Sequence, residues 1–99
     1  MITEVATLKI DPARAEDFIS AVSQAAPLFR QAQGCKAMSL EAVIETPGTY
    51  YLRVIWESVE HHTIGFRESE AFQQWRALAG PYFVEAPQVV HVHEGRRYF

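Results

Sequence analysis

An α+β fold, one four-stranded antiparallel sheet with helices on one of its faces, is predicted by three observations. Four short stretches are apolar or alternating at strand length, helical spacings separate them in the order βαββαβ, and each junction carries a cap or turn signal. This is the ferredoxin-like arrangement. The chain of 99 residues contains no repeat, low-complexity tract or linker, so residues 1–99 are read as a single domain.

Residues 2–10, ITEVATLKI, carry apolar or β-branched side chains on both alternating faces, as expected of a strand covered on each side. Asp11 and Pro12 then suit the N-cap and first position of a helix. Phe18, Ile19, Val22, Ala25, Ala26 and Phe29 recur at helical spacing over about five turns. Pro27 removes a backbone donor and is expected to kink this helix or split off its last turn; Gly34 supplies the stop. A second strand is read over residues 35–45, with Met38, Leu40, Ala42 and Ile44 on one face. The turn at residues 46–49, TPGT, returns the chain antiparallel into a strand over 50–57. Tyr50, Leu52, Val54 and Trp56 share one of its faces; Tyr51, Arg53, Ile55 and Glu57 share the other.

Ser58 and Ser69 are N-cap residues followed by Glu60 and Glu70, which predicts two short helices meeting near Arg67 and Glu68. The first stacks Val59, His62, Thr63 and Phe66; the second stacks Phe72, Trp75, Arg76 and Ala79. Gly80 and Pro81 end the second. In the last strand, VVHVHEG, Val89, His91 and His93 alternate with Val90 and Val92.

Hydrophobic residues make up 48% of the chain and charged residues 21%, the balance of an ordinary globular protein. With 9 basic against 12 acidic residues the net charge is −3, which argues against a nucleic-acid partner. No apolar run approaches the ~20 residues of a membrane span, and Met1 leads straight into a strand pattern, so a cytoplasmic protein is expected. The lone Cys35 excludes an internal disulfide and reads as a small buried side chain. A small domain gains from association, and both sheet faces are apolar. A homodimer with its sheets face to face is therefore expected, with pockets between each sheet and its helices.

The chemistry-bearing side chains crowd into residues 56–76. His91 and His93 share a strand face and His62 is the inward member of His61-His62, but this spacing alone does not make a metal site. Trp56, Phe66, Phe72, Trp75, Tyr82 and Phe83 form an aromatic group around the histidines; it reads first as core, above all for Phe66 and Phe72, and alternatively as the wall of a pocket for a flat conjugated ligand. Arg76 lies on the same helix face as Phe72, within reach of a ligand oxygen. No dinucleotide fingerprint, phosphate loop or nucleophile-elbow motif is present.

Four segments carry a resemblance to a known family: QGC at residues 33–35, WES at 56–58, GFRESEAFQQWR at 65–76 and PQVVH at 87–91. In order and spacing they resemble the antibiotic biosynthesis monooxygenase family, whose members look like dimeric α/β barrels. The resemblance implies oxygen insertion into polycyclic phenols, anthrones or quinols without flavin, haem or metal, the electron-rich substrate itself reducing O2. A polyketide-tailoring member surrounds its substrate with an asparagine, a tryptophan, a tyrosine and an arginine. Ungapped superposition of the WES segments puts the last three on Trp56, His62 and Arg76, which are accordingly the catalytic candidates. The asparagine falls on Leu52, which cannot hydrogen-bond. Leu52, Phe66, Phe72, Trp75, Tyr82 and His91 are the candidates for binding a small aromatic substrate, with no cofactor or metal expected. The competing reading is a dimeric barrel that binds an aromatic metabolite without transforming it.

Overall fold

Strand alternation decides which side chains face the helices. The computed structural model describes residues 1–99, with β1 (Ile2–Lys9), α1 (Ala15–Arg30), β2 (Cys35–Ala42), β3 (Thr49–Trp56), α2 (Glu70–Ala79) and β4 (Gln88–His93). The sheet order is β2-β3-β1-β4 and every pairing is antiparallel, the ferredoxin-like α+β topology. On the helix side, β1 presents Glu4, Ala6 and Leu8, while β3 presents Tyr50, Leu52, Val54 and Trp56, all buried. Register places Glu4 between Val54 on one neighbour and His91 on the other, two pairs along from Trp56 and on the same face. No helix is long and apolar enough to cross a membrane.

Asp11 accepts a hydrogen bond from the Ala13 amide at 3.0 Å and starts a single 3₁₀ turn, Pro12–Arg14, that feeds α1. One stripe of α1, comprising Phe18, Ala21, Val22, Ala25 and Phe29, is buried against the sheet and α2. Pro27 does not split off the last turn. It sits on the exposed side of α1, which runs on to Arg30 because losing one amide donor there exposes a carbonyl to water instead of orphaning it in the core. Gly34 then turns with φ +82°, and an added Cβ would lie 2.4 Å from the His61 ring. β2 ends at Ala42, earlier than its apolar alternation suggests. The Val43 amide bonds to the Thr49 carbonyl and closes the hairpin, leaving Ile44 89% exposed.

Phe18, Phe29, Leu8, Leu52, Val54 and Trp56 are the largest fully buried side chains, each contributing about 1.5–3 kcal/mol of transfer free energy. The first of the two expected short helices is a π turn, His61–Phe66, in which the Arg67 amide donates to the His62 carbonyl five residues back. Ser58 caps its entry, accepting from the His61 amide at 3.3 Å. Ser69 caps α2 through the Phe72 amide at 3.3 Å, and α2 buries Trp75 and Ala79. The opposite face of the sheet carries Val5, Tyr51, Ile55, Val90 and Val92, with Val90 58% and Val92 44% exposed.

Candidate functional site

Glu4 is buried to 5% exposure, and its Oε1 is the meeting point of two side chains from distant parts of the chain. The Trp56 indole Nε1–H donates to it at 2.9 Å, and His62 Nε2 lies 3.3 Å from the same oxygen. The other nitrogen of His62, Nδ1, is 2.8 Å from Nε2 of His91. The Trp56 and His62 rings are stacked, with centroids 5.5 Å apart and planes 20° from parallel. No buried side-chain nitrogen or oxygen lacks a partner, and Oε2 makes no hydrogen bond to the protein, so Oε2 meets open space.

That space is a cavity of about 590 Å³ between the sheet and the region of α2. Its floor is Glu4, Ala6, Leu8 and Leu52; His62, Phe72 and Trp75 supply ring walls, and Arg67 and Arg76 add two cations. Neither arginine is ion-paired: the salt bridges join Lys9 with Glu85, Lys36 with Glu57, Arg53 with Glu41 and His62 with Glu4. A larger opening of about 790 Å³ lies between α1 and β2, but it gathers no hydrogen-bonded titratable groups.

Of the candidates named from the sequence, Leu52, His62, Phe72, Trp75 and Arg76 line the cavity together. Trp56 lies fully buried behind Glu4 and His62, Phe66 belongs to the core beside Phe29, and His91 stands beyond His62 on β4. Tyr82 is elsewhere, with the Arg14 guanidinium 4.3 Å from its ring centroid. Sequence reasoning missed Glu4 and Arg67. A signal for Glu4 was present: it is the one carboxylate in the alternating series Ile2, Glu4, Ala6, Leu8 and Ile10.

Burial raises the pKa of Glu4 above the ordinary carboxylate value, opposed by the Trp56 hydrogen bond and the Arg67 charge. Burial also lowers His62 to about 4, helped by the positive charge of Arg67 and by His91; burial and Arg67 lower His91 in the same sense. At neutral pH Glu4 therefore lies beside a neutral imidazole, 3.3 Å from its Nε2. Such a group can take a proton from a bound molecule, and the nearby guanidinium groups favour the anion left behind.

Residues 1–78 match the family described as antibiotic biosynthesis monooxygenase. The chain belongs to this family. The crystal structure of a Bordetella bronchiseptica protein named for the same family is 44% identical, covers 96% of this chain and 97% of that one, and superposes with a TM-score of 0.93. YczJ of Bacillus subtilis strain 168, itself uncharacterised, is 36% identical over 94 residues, spanning 95% of this chain and 99% of its own length. A variant of SnoaB, a cofactor-independent oxygenase from Streptomyces nogalater, shares the fold with a TM-score of 0.79 at 14% identity, covering 98% of this chain and 95% of that one.

Proposed function

We propose that the protein is a cofactor-independent monooxygenase that oxidises an aromatic polyol, anthrone or quinol with O2 in the cavity over Glu4. The observation that carries this reading is the buried couple of Glu4 and His62 facing an aromatic-walled cavity beside two unpaired arginines. For an anthrone-type methylene, the couple removes one proton. The resulting carbanion gives electrons to O2, a C–O bond forms, and the returned proton completes a hydroperoxide. Loss of water then leaves a carbonyl, so CH2 and O2 become C=O and H2O. Arg76 and Arg67 stabilise the enolate and peroxide anions, while Leu52 contributes only shape. The pairing of the apolar outer sheet face with a second copy completes the proposed homodimer.

Oxygen uptake by metal-stripped protein across anthrones, naphthoquinols and catechols tests the reading. Uptake above the spontaneous rate, reduced at least about tenfold in Arg76→Ala, supports it; that loss corresponds to about 1.4 kcal/mol of transition-state stabilisation. No uptake, with the same compounds raising the melting temperature, assigns the cavity to ligand binding alone.

A further inference from the structure

We propose that Glu4 is the proton acceptor of the cavity and that it exchanges this proton with solvent along a relay through His62 and His91. A proton taken up at Oε2 comes to Oε1 by rotation of the carboxyl group; from there it passes to His62 Nε2 as the Nδ1 proton of His62 passes to Nε2 of His91, and the Nδ1 proton of His91 leaves to water. Three protons are bound at the start, one on each group. At the end, two remain, on Nε2 of each histidine, with the carboxylate bare and one proton released.

The geometry supports each link. His62 uses opposite ring nitrogens toward Glu4 and His91, so the ring connects its two neighbours. A neutral imidazole carries one N–H, and either placement of it satisfies one side as donor and the other as acceptor. These two placements are the two ends of the transfer. Stacking on Trp56, whose own N–H is held by Glu4, fixes a ring orientation with Nδ1 2.8 Å from His91 and Nε2 3.3 Å from Glu4. The path ends toward solvent: Glu4 and His62 are 5% and 3% exposed, whereas His91 lies half-buried on edge strand β4. The low pKa of His62 agrees, because a permanently protonated ring would already donate from both nitrogens and block transfer.

Other charged or titratable groups share the surroundings. Arg67 acts on all three members, and Arg76 and Glu85 line the same cavity, with Glu85 tied to Lys9. His93 follows His91 on the same face of β4; His61 precedes His62 and is hydrogen-bonded to Ser58; Cys35 feels the Glu4 charge. Replacing His91 isolates the relay from all of these.

The monooxygenase reading enters only as the source of the proton, so the relay is tested without turnover. Imidazole nitrogen and carboxyl carbon resonances of the isotope-labelled full chain are followed from pH 4 to 9. In the wild type, the N–H of neutral His62 is expected to switch from Nδ1 to Nε2 as Glu4 loses its proton, with His91 switching at the same pH. In His91→Phe, Nδ1 of His62 has no partner, and the ring is expected to stay in the Nε2–H form while Glu4 titrates. A single His62 tautomer across the Glu4 transition of the wild type overturns the relay. If an oxidisable quinol is found, His91→Phe is expected to slow turnover about tenfold in dilute buffer and to recover with added imidazole. Unchanged turnover in dilute buffer likewise overturns the relay. Tautomer switching without oxygen uptake would retire the monooxygenase reading and leave the relay standing.

Discussion

The two ends of the layer between sheet and helices are equally buried and chemically opposite. At one end Leu8 of β1 and Ile10 just beyond it belong to one apolar cluster with Phe18 and Tyr50, all 7% exposed or less. At the other end the same strand contributes Glu4, whose burial is accompanied by a hydrogen bond from Trp56 and a 3.3 Å contact with His62. The first end is held by many weak contacts that tolerate loss of a polar atom but not of volume. The second contains few polar groups, each of which leaves another unsatisfied when removed.

Phe18→Ala should have the largest effect, about 3–5 kcal/mol of lost stability by urea unfolding, because the packed end cannot collapse around a missing ring. A value under about 1 kcal/mol would show that this end is loosely packed.

Acidification acts on the other end. Between the unfolded pKa of 6.5 and a folded value of about 4, the unfolded chain binds a proton that folded His62 does not, so the ring's contribution falls as pH falls. The loss amounts to at most ~3 kcal/mol. Glu4 has the opposite sign: its raised folded pKa makes the native state bind a proton more readily than the unfolded chain above pH 4.5. Relative to wild type between pH 7 and 4, His62→Gln should lose less stability and Glu4→Gln more. Parallel profiles for all three proteins would show that the couple does not titrate as described.

Trp56→Phe keeps most of the ring and deletes the donor to Glu4, and should cost about 2 kcal/mol at neutral pH in thermal or urea unfolding. Tyr50→Phe makes the matching deletion at the packed end. The Tyr50 hydroxyl is not a buried orphan and makes no protein hydrogen bond, so its loss should change unfolding stability by no more than about 0.5 kcal/mol. Equal costs for these two variants would erase the contrast between the ends.

Much of this was legible in the sequence. Period-two alternation put Leu52, Val54 and Trp56 on one face and His91 on one face with Val89, and helical spacing turned His62 inward. The coupling of Glu4 to Trp56 and His62 was not, because those residues are remote in sequence and meet only through the pairing of β1 with β3 and the packing of the π turn on the sheet. β1 also has apolar residues on both faces, which hid the one carboxylate directed at the helices. The π turn depends on a carbonyl five residues back, a choice that apolar spacing does not record. Ile44 continued the β2 pattern into residues where hairpin closure had already taken over.

Gly34 extends dependence of the site beyond the cavity wall. Its missing Cβ lets the turn after α1 lie directly against the His61 ring, and its carbonyl accepts from the Glu57 amide at 2.8 Å just before the π turn begins. This turn thus acts as a spacer of minimal thickness that sets how low the neighbouring His62 rides over the sheet. Alanine at position 34 would meet both an unfavourable backbone angle and the imidazole, and the displacement would travel one residue along the chain to the couple with Glu4. Drift at a helix-to-strand turn, with every cavity-lining residue unchanged, would then register as altered proton chemistry.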